Sequence, residues 1–279
     1  MDPSEMTNGE RVSCDSEANP SSNAVAVMLD VTGSMRQVPR ILQKNLRTLF
    51  NLLVRRQYLQ DPAILIGGIG DATCDLAPVQ LGQFESGNEI EDDLGRLFLD
   101  GGGGGQQTES YELALYFLAR KAKIDCFDKR GQKGFAFLIG DELPYKKVKR
   151  REVKAVFGDN IQADIPIRSI VKEARRKFEI FYVLPNLTSY YDSPAIFSAW
   201  TKLLGQNVLR LEDPAGISEL IASTIGIMKG AVNHSELIGD LLRAGTSQRV
   251  AEAVSEALID LEPAVKKQPD LHGTGLTTF

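Results

Sequence analysis

The chain has little histidine. His234 and His272 are the only two in 279 residues, which leaves scant material for a histidine-based nucleophilic triad or a two-histidine metal site. Cysteine is nearly as scarce. Cys14, Cys74 and Cys126 form no CxxC pair, so neither a disulfide framework nor a zinc knuckle is indicated, and an odd count of unpaired thiols points to a reducing compartment. No apolar run is long enough to span a bilayer. The opening MDPSEMTNGERVSCDSEANPSS lacks the basic start and apolar core of a signal peptide. No GxxxxGK[ST] occurs, which disfavours P-loop nucleotide hydrolysis. The formal charge of -5, with 25% charged residues, makes no global argument for nucleic acid or an anionic membrane. These absences together predict a soluble, cytoplasmic protein that binds no membrane, with no nucleic acid partner expected.

What is present is an alternation. Short apolar runs at Ala24–Leu29, Ala63–Ile69, Gly134–Ile139, Phe178–Leu184 and Val208–Leu211 read as buried parallel strands, and Val79–Phe84 as a more polar, antiparallel edge. Between them lie helical spacings. Leu42, Leu46, Leu49, Phe50 and Leu53 draw one apolar stripe, and further helices are expected over Asn88–Leu99, Ser110–Lys123, about Val148–Phe157, Ile165–Lys177, Ala195–Leu204 and Gly216–Met228. The fold class predicted is α/β: a doubly wound, mostly parallel six-stranded sheet with helices on both faces. Residues 1–22 are polar and read as a disordered tail, 23–230 as the domain, and 231–279 as a helical extension with a loose end. The run GGGGG at 101–105 excludes regular structure there.

In such sheets, sites form beyond the carboxyl ends of strands where the strand order reverses. Three polar clusters fall at or near loop tips. Asp30, Thr32 and Ser34 crowd the end of the first strand in AVAVMLDVTGSM; Thr108 comes after the glycine run and precedes a helix; Asp141 comes directly after the strand GFAFLIG. Two carboxylates and three hydroxyls are an all-oxygen donor set, suited to a hard divalent cation such as magnesium. Each residue also has a local reading. Asp30, Thr32, Ser34 and Thr108 are good helix caps or turn formers. Asp71 and Asp75 in GIGDATCD, and Glu142 beside Asp141, stand either near the metal or as ordinary loop carboxylates. The basic run KKVKRREVK at 146–154 reads first as a solvated helix face.

The spacing of Asp30, Thr32 and Ser34 resembles the DxSxS signature of von Willebrand factor A domains in its DxTxS form, and Thr108 and Asp141 match that family's lone threonine and second aspartate. The resemblance covers about residues 23–228. It implies strand order 3-2-1-4-5-6 and a metal-ion-dependent adhesion site of the intracellular type. Asp30, Thr32, Ser34, Thr108 and Asp141 would hold Mg2+ or Mn2+, and a protein partner would supply an Asp or Glu to complete the shell. Two other functions compete. One is a metal-dependent phosphohydrolase, since Asp30-Val31-Thr32 superficially resembles the phosphatase motif DxDx[TV]; but Thr32 stands where a second aspartate is required. The other is a structural scaffold with a vestigial metal site.

Overall fold

The computed structural model describes residues 10–87, 95, 97 and 107–261, with the side chains of 46 and 47 left aside. The helix expected over Asn88–Leu99 (apart from Gly95 and Leu97), the glycine run 101–105 and the stretches 1–9 and 262–279 lie outside the described residues, as does the side chain of Leu46.

The main sheet has six strands: β1 (Asn23–Asp30), β2 (Pro62–Ile69), β3 (Val79–Glu85), β4 (Gly134–Ile139), β5 (Phe178–Pro185) and β6 (Val208–Leu211). They lie in the order β6-β5-β4-β1-β2-β3, which read from the other edge is 3-2-1-4-5-6. All pairs are parallel except β2 with the edge strand β3. The fold class expected from the alternation is therefore the one observed.

β1 explains why. Every residue from Ala24 to Leu29 is fully buried, as a strand covered on both faces requires. Its side chains alternate between two cores. Val25, Val27 and Leu29 join one, with residues of α1 (Val38–Arg55) and the last helices; Ala24, Ala26 and Met28 join the other, with residues of α2 (Tyr111–Arg120). Small residues are needed where elements approach closely. A Cβ on Gly67 would lie 2.6 Å from the Met28 sulfur and 2.8 Å from the Gln80 carbonyl, at the irregularity where β2 and β3 shift register.

Further helices among the described residues include α3 (Asp125–Asp128), α4 (Arg150–Phe157), α5 (Ile167–Lys177), α6 (Pro194–Leu204), α7 (Ile217–Lys229), α8 (His234–Arg243) and α9 (Gln248–Ala257). Several boundaries differ from expectation for identifiable reasons. The tail expected to run to residue 22 contains a strand, Arg11–Ser13, paired in parallel with Ala122–Ile124. Arg11 is buried and donates to the Gly82 and Leu81 carbonyls. That pairing also ends α2 at Arg120 rather than Lys123. Lys147–Val148 and Ile165–Pro166 form a small antiparallel ribbon, so α4 and α5 each begin two residues later than predicted. Beyond residue 230, α8 and α9 pack back on the domain: Leu237, Leu241, Val250, Ala251 and Val254 share the core of α1 and α7. The helix α8 is not among those read from the sequence, although Leu237 and Leu241 carry the i, i+4 spacing that marks it.

Candidate functional site

β1 and β4 are neighbours, with Leu29 opposite Ile139, and the order reverses between them. Their carboxyl-end loops therefore leave side by side, which brings Asp30 and Asp141 to one crevice. Both aspartates are fully buried, Thr32 is 4% exposed, and Ser34 is half-buried.

The first loop folds on its own carboxylate. Asp30 Oδ1 accepts from the Thr32 backbone N–H at 2.9 Å and from the Thr32 hydroxyl at 2.6 Å. Thr32 stands at the cap position of the short 3-10 turn Gly33–Met35 yet makes no side-chain cap bond, so its hydroxyl serves the aspartate and not the turn. Ser34 Oγ donates to Asp141 Oδ1 at 2.6 Å and lies 3.3 Å from Thr32 Oγ1. Asp30, Thr32, Ser34 and Asp141 thus form one connected chain of oxygens across two loops. Thr108 joins through the backbone. Thr108–Glu109 pairs with Leu143–Pro144, just past Asp141, and Leu143 N–H donates to the Gln107 carbonyl. Its hydroxyl makes no hydrogen bond to the other four among the described residues. Asp71 closes its own loop, accepting from the Thr73 backbone and hydroxyl and from Tyr145.

Several contributors are not legible in the sequence. Tyr111 donates to Asp30 Oδ2 at 2.6 Å and packs edge-on to Tyr182 and Trp200, whose rings stack 4.0 Å apart. Tyr182 Oη and Trp200 Nε1 both donate to the Glu142 carbonyl, at 3.2 and 2.9 Å. One aromatic trio thereby fixes both the first aspartate and the peptide after the second. Glycine at 140 makes room for it: a Cβ there would overlap the Tyr111 hydroxyl and stand 2.8 Å from its Cζ. The loop after β5 closes the far side, with Tyr190 N–H on Asp141 Oδ2 at 3.0 Å and Ser189 N–H on the Ser34 carbonyl. The Glu109 carboxyl is buried too, close enough to Glu142 for each to affect the other's ionisation.

The electrostatics are one-sided. Burial raises Asp30 from 3.8 to about 6, against the lowering effect of its hydrogen bonds. Burial likewise raises Asp141. Glu109 and Glu142 are pushed up by burial first, and further by Asp30 and Asp71. Among the described residues, no lysine or arginine hydrogen-bonds to any of these four, and one oxygen each of Glu109 and Glu142 is buried without a partner.

This donor set fits a hard cation. Because Thr32 and Ser34 donate their protons to carboxylates, their oxygen lone pairs are free. Their 3.3 Å separation is close to the roughly 3 Å edge of an octahedron with ligands at about 2.1 Å. Among the described residues, no three Asp, Glu, His or Cys side chains group closely enough to hold an ion, so hydroxyl oxygen is indispensable to any such site.

No family model matches the chain, and no curated protein matches it. Among solved structures, the pilus adhesin SpaC of Lactobacillus rhamnosus GG is 9% identical with TM-score 0.49, over 78% of this chain and 32% of that one. Proximal thread matrix protein 1 of the mussel byssus is 10% identical with TM-score 0.44, over 78% of this chain and 49% of that one. A further structure of the mussel protein has a zinc-occupied MIDAS motif, at 10% identity and TM-score 0.43. The chain spans about a third to a half of the length of these proteins. They correct one expectation. The cytoplasmic location, and with it the intracellular type, does not stand, because the similar structures come from a pilus adhesin and a byssal thread. That expectation rests on three unpaired cysteines, and free thiols do not by themselves fix a compartment.

Proposed function

We propose that the chain is a divalent-metal-dependent protein-interaction module, in which Asp30, Thr32, Ser34, Thr108 and Asp141 hold Mg2+ or Mn2+ and a partner protein supplies an Asp or Glu. The observation that supports it best is the run of oxygens from Asp30 through Thr32 and Ser34 to Asp141, two hydroxyl-to-carboxylate hydrogen bonds whose hydroxyl oxygens lie 3.3 Å apart, in a crevice of buried carboxylates that accept from no described lysine or arginine.

Each residue has a defined task in this reading. Asp30 and Asp141 supply the charge, and both are kept in place by donors on their second oxygens, Tyr111 and the Tyr190 N–H. Thr32 and Ser34 supply neutral oxygen, which leaves a bound cation strongly attractive to an incoming anion. Exposed Gly33 and half-buried Ser34 and Thr108 lie on the open side, where a partner's carboxylate would enter. When bound, the metal supplies the electrostatic attraction for that carboxylate. Burial of Asp30 beneath them excludes water from the aspartate's inner side.

Calorimetric titration of the chain with Mg2+ and with Mn2+ tests the reading. Saturable binding that disappears in Asp30→Ala, together with partner capture that a chelator reverses, is the expected outcome. Absence of saturable heat with either ion would favour the scaffold instead.

A further inference from the structure

Charge is unevenly spread along this chain. Residues 146–177 hold eleven of its 32 Lys and Arg but four of its 37 Asp and Glu. Two hollows receive that excess. One, at α4, is lined by Arg150, Arg151 and Lys154 together with Asp159. There the protein answers part of the charge itself: Arg151 lies 3.5 Å from Glu152, and Lys154 donates to the Gly158 carbonyl. The other, of 340 Å³, lies between α5 and α6 and is lined by Arg168, Lys172, Arg175 and Arg176, with Val171 and Leu203. All four of these cations are exposed, and among the described residues no acid lines the cleft. The single acid of α5, Glu173, is taken by Arg120 of α2 at 2.9 and 3.0 Å.

Helix physics alone does not account for this stripe. Positive charge suits the last turn, where Arg175 and Arg176 stand, but opposes the helix dipole at Arg168 in the first. Arg168 and Lys172, like Lys172 and Arg176, are equal charges four residues apart, a spacing that destabilises a helix. The stripe also has a period. Arg168, Lys172 and Arg176 step about 6 Å along the axis, and alternate side chains of an extended peptide step about 6.6 Å. Carboxylates at alternate positions of an extended segment therefore meet the three cations in register, and the residues between them face the α6 wall, where Leu203 stands. A nucleic acid fits less well. Its phosphates bring nothing apolar to Val171 and Leu203, and no aromatic ring lines the cleft for a base to stack on. Outside 146–177 acids outnumber bases, so a polyanion longer than the stripe meets repulsion beyond it.

We propose that the cleft between α5 and α6 is a docking site for a short extended protein segment, acidic at alternate positions and apolar between them. Arg168, Lys172 and Arg176 read its carboxylates, and Leu203 receives an apolar side chain. This surface is separate from the crevice between β1 and β4.

The test uses the full chain in chelator, so that no metal takes part. The probe is the capped pentapeptide Glu-Leu-Glu-Leu-Glu, followed by nuclear magnetic resonance through the Val171 and Leu203 methyl groups. It should bind about tenfold more tightly than its isomer Glu-Glu-Glu-Leu-Leu, which has the same charge without the alternation. Arg168→Gln/Lys172→Gln/Arg176→Gln should abolish the difference without lowering the melting temperature, since it relieves like-charge contacts. Arg150→Gln/Arg151→Gln/Lys154→Gln should leave it unchanged. Equal affinity for the two isomers in the unsubstituted chain, or equal losses in the two triple variants, would overturn the proposal and leave a solvated basic surface. Tighter binding of a ten-nucleotide single-stranded DNA than of the alternating peptide would also overturn it, in favour of a nucleic acid.

Discussion

Two of the places where the described residues bury carboxylates are built on opposite plans. Asp240 of α8 is met by Arg56, Arg243 and the Tyr58 hydroxyl. Its charge is answered by the protein itself, and the cluster ties α8 to the end of α1. At the tips of β1 and β4, Asp30 and Asp141 are met by hydroxyls, a phenol and a backbone N–H, with Glu109 and Glu142 adding further acid. A buried charge without a counter-charge is costly. The first cluster is a fastening, complete in itself; the second assembles oxygen donors to which no described lysine or arginine brings a positive charge.

The sharpest way to break this comparison is to remove one acid from each. Asp30→Ala is expected to weaken Mg2+ or Mn2+ binding on the order of a hundredfold or more, with circular dichroism showing the fold retained, because the lost group had no cation to leave stranded. Asp240→Ala should do the reverse, lowering stability in urea unfolding by about 2–3 kcal/mol without changing metal affinity. Tyr111→Phe is a smaller perturbation. It deletes the 2.6 Å bond to Asp30 but keeps the ring against Tyr182 and Trp200, and metal affinity should fall about tenfold with the melting temperature little changed.

Acidity gives the finest discrimination. Asp30 is held at about 6 in the fold against 3.8 in its ordinary state. Between those values the folded chain keeps a proton that the unfolded chain releases. The metal-free protein should therefore be most stable below about pH 4 with respect to this group, and lose that contribution as pH rises through about 6. Melting temperatures measured in chelator from pH 4 to 7 should show this decline, and added Mg2+ should offset it at the upper end. A flat profile would mean that Asp30 is already compensated, as Asp240 is.

How much of the molecule is legible in its sequence depends on the range over which each feature is encoded. β1 and β4 announce themselves as continuous apolar runs because both faces of each strand are covered. The cluster of Asp30, Thr32 and Ser34 is legible because three oxygen-bearing side chains fall within five residues. Asp141 is marked by its place at the end of a buried strand. The supporting layer has no such local sign. Glu109 and Glu142 look like surface residues until Thr108–Glu109 pairs with Leu143–Pro144. Tyr111 looks like the apolar side of a helix until its hydroxyl meets Asp30. The short pairings at Arg11–Ser13 and Lys147–Val148 are equally hidden, since two or three residues carry no periodicity. The site's candidate ligands are written in single motifs, whereas their supports depend on which loops the sheet order brings together.

One position without a side chain carries an unexpected share of this arrangement. Gly140 leaves the space that the Tyr111 phenol fills, so even an added methyl group would evict the ring from its seat and cut Asp30 loose. On the proposed metal-binding reading, a scan of substitutions would show residue 140 behaving like a ligand although it has no side chain to offer, and the loss there would report crowding of the Tyr111 ring.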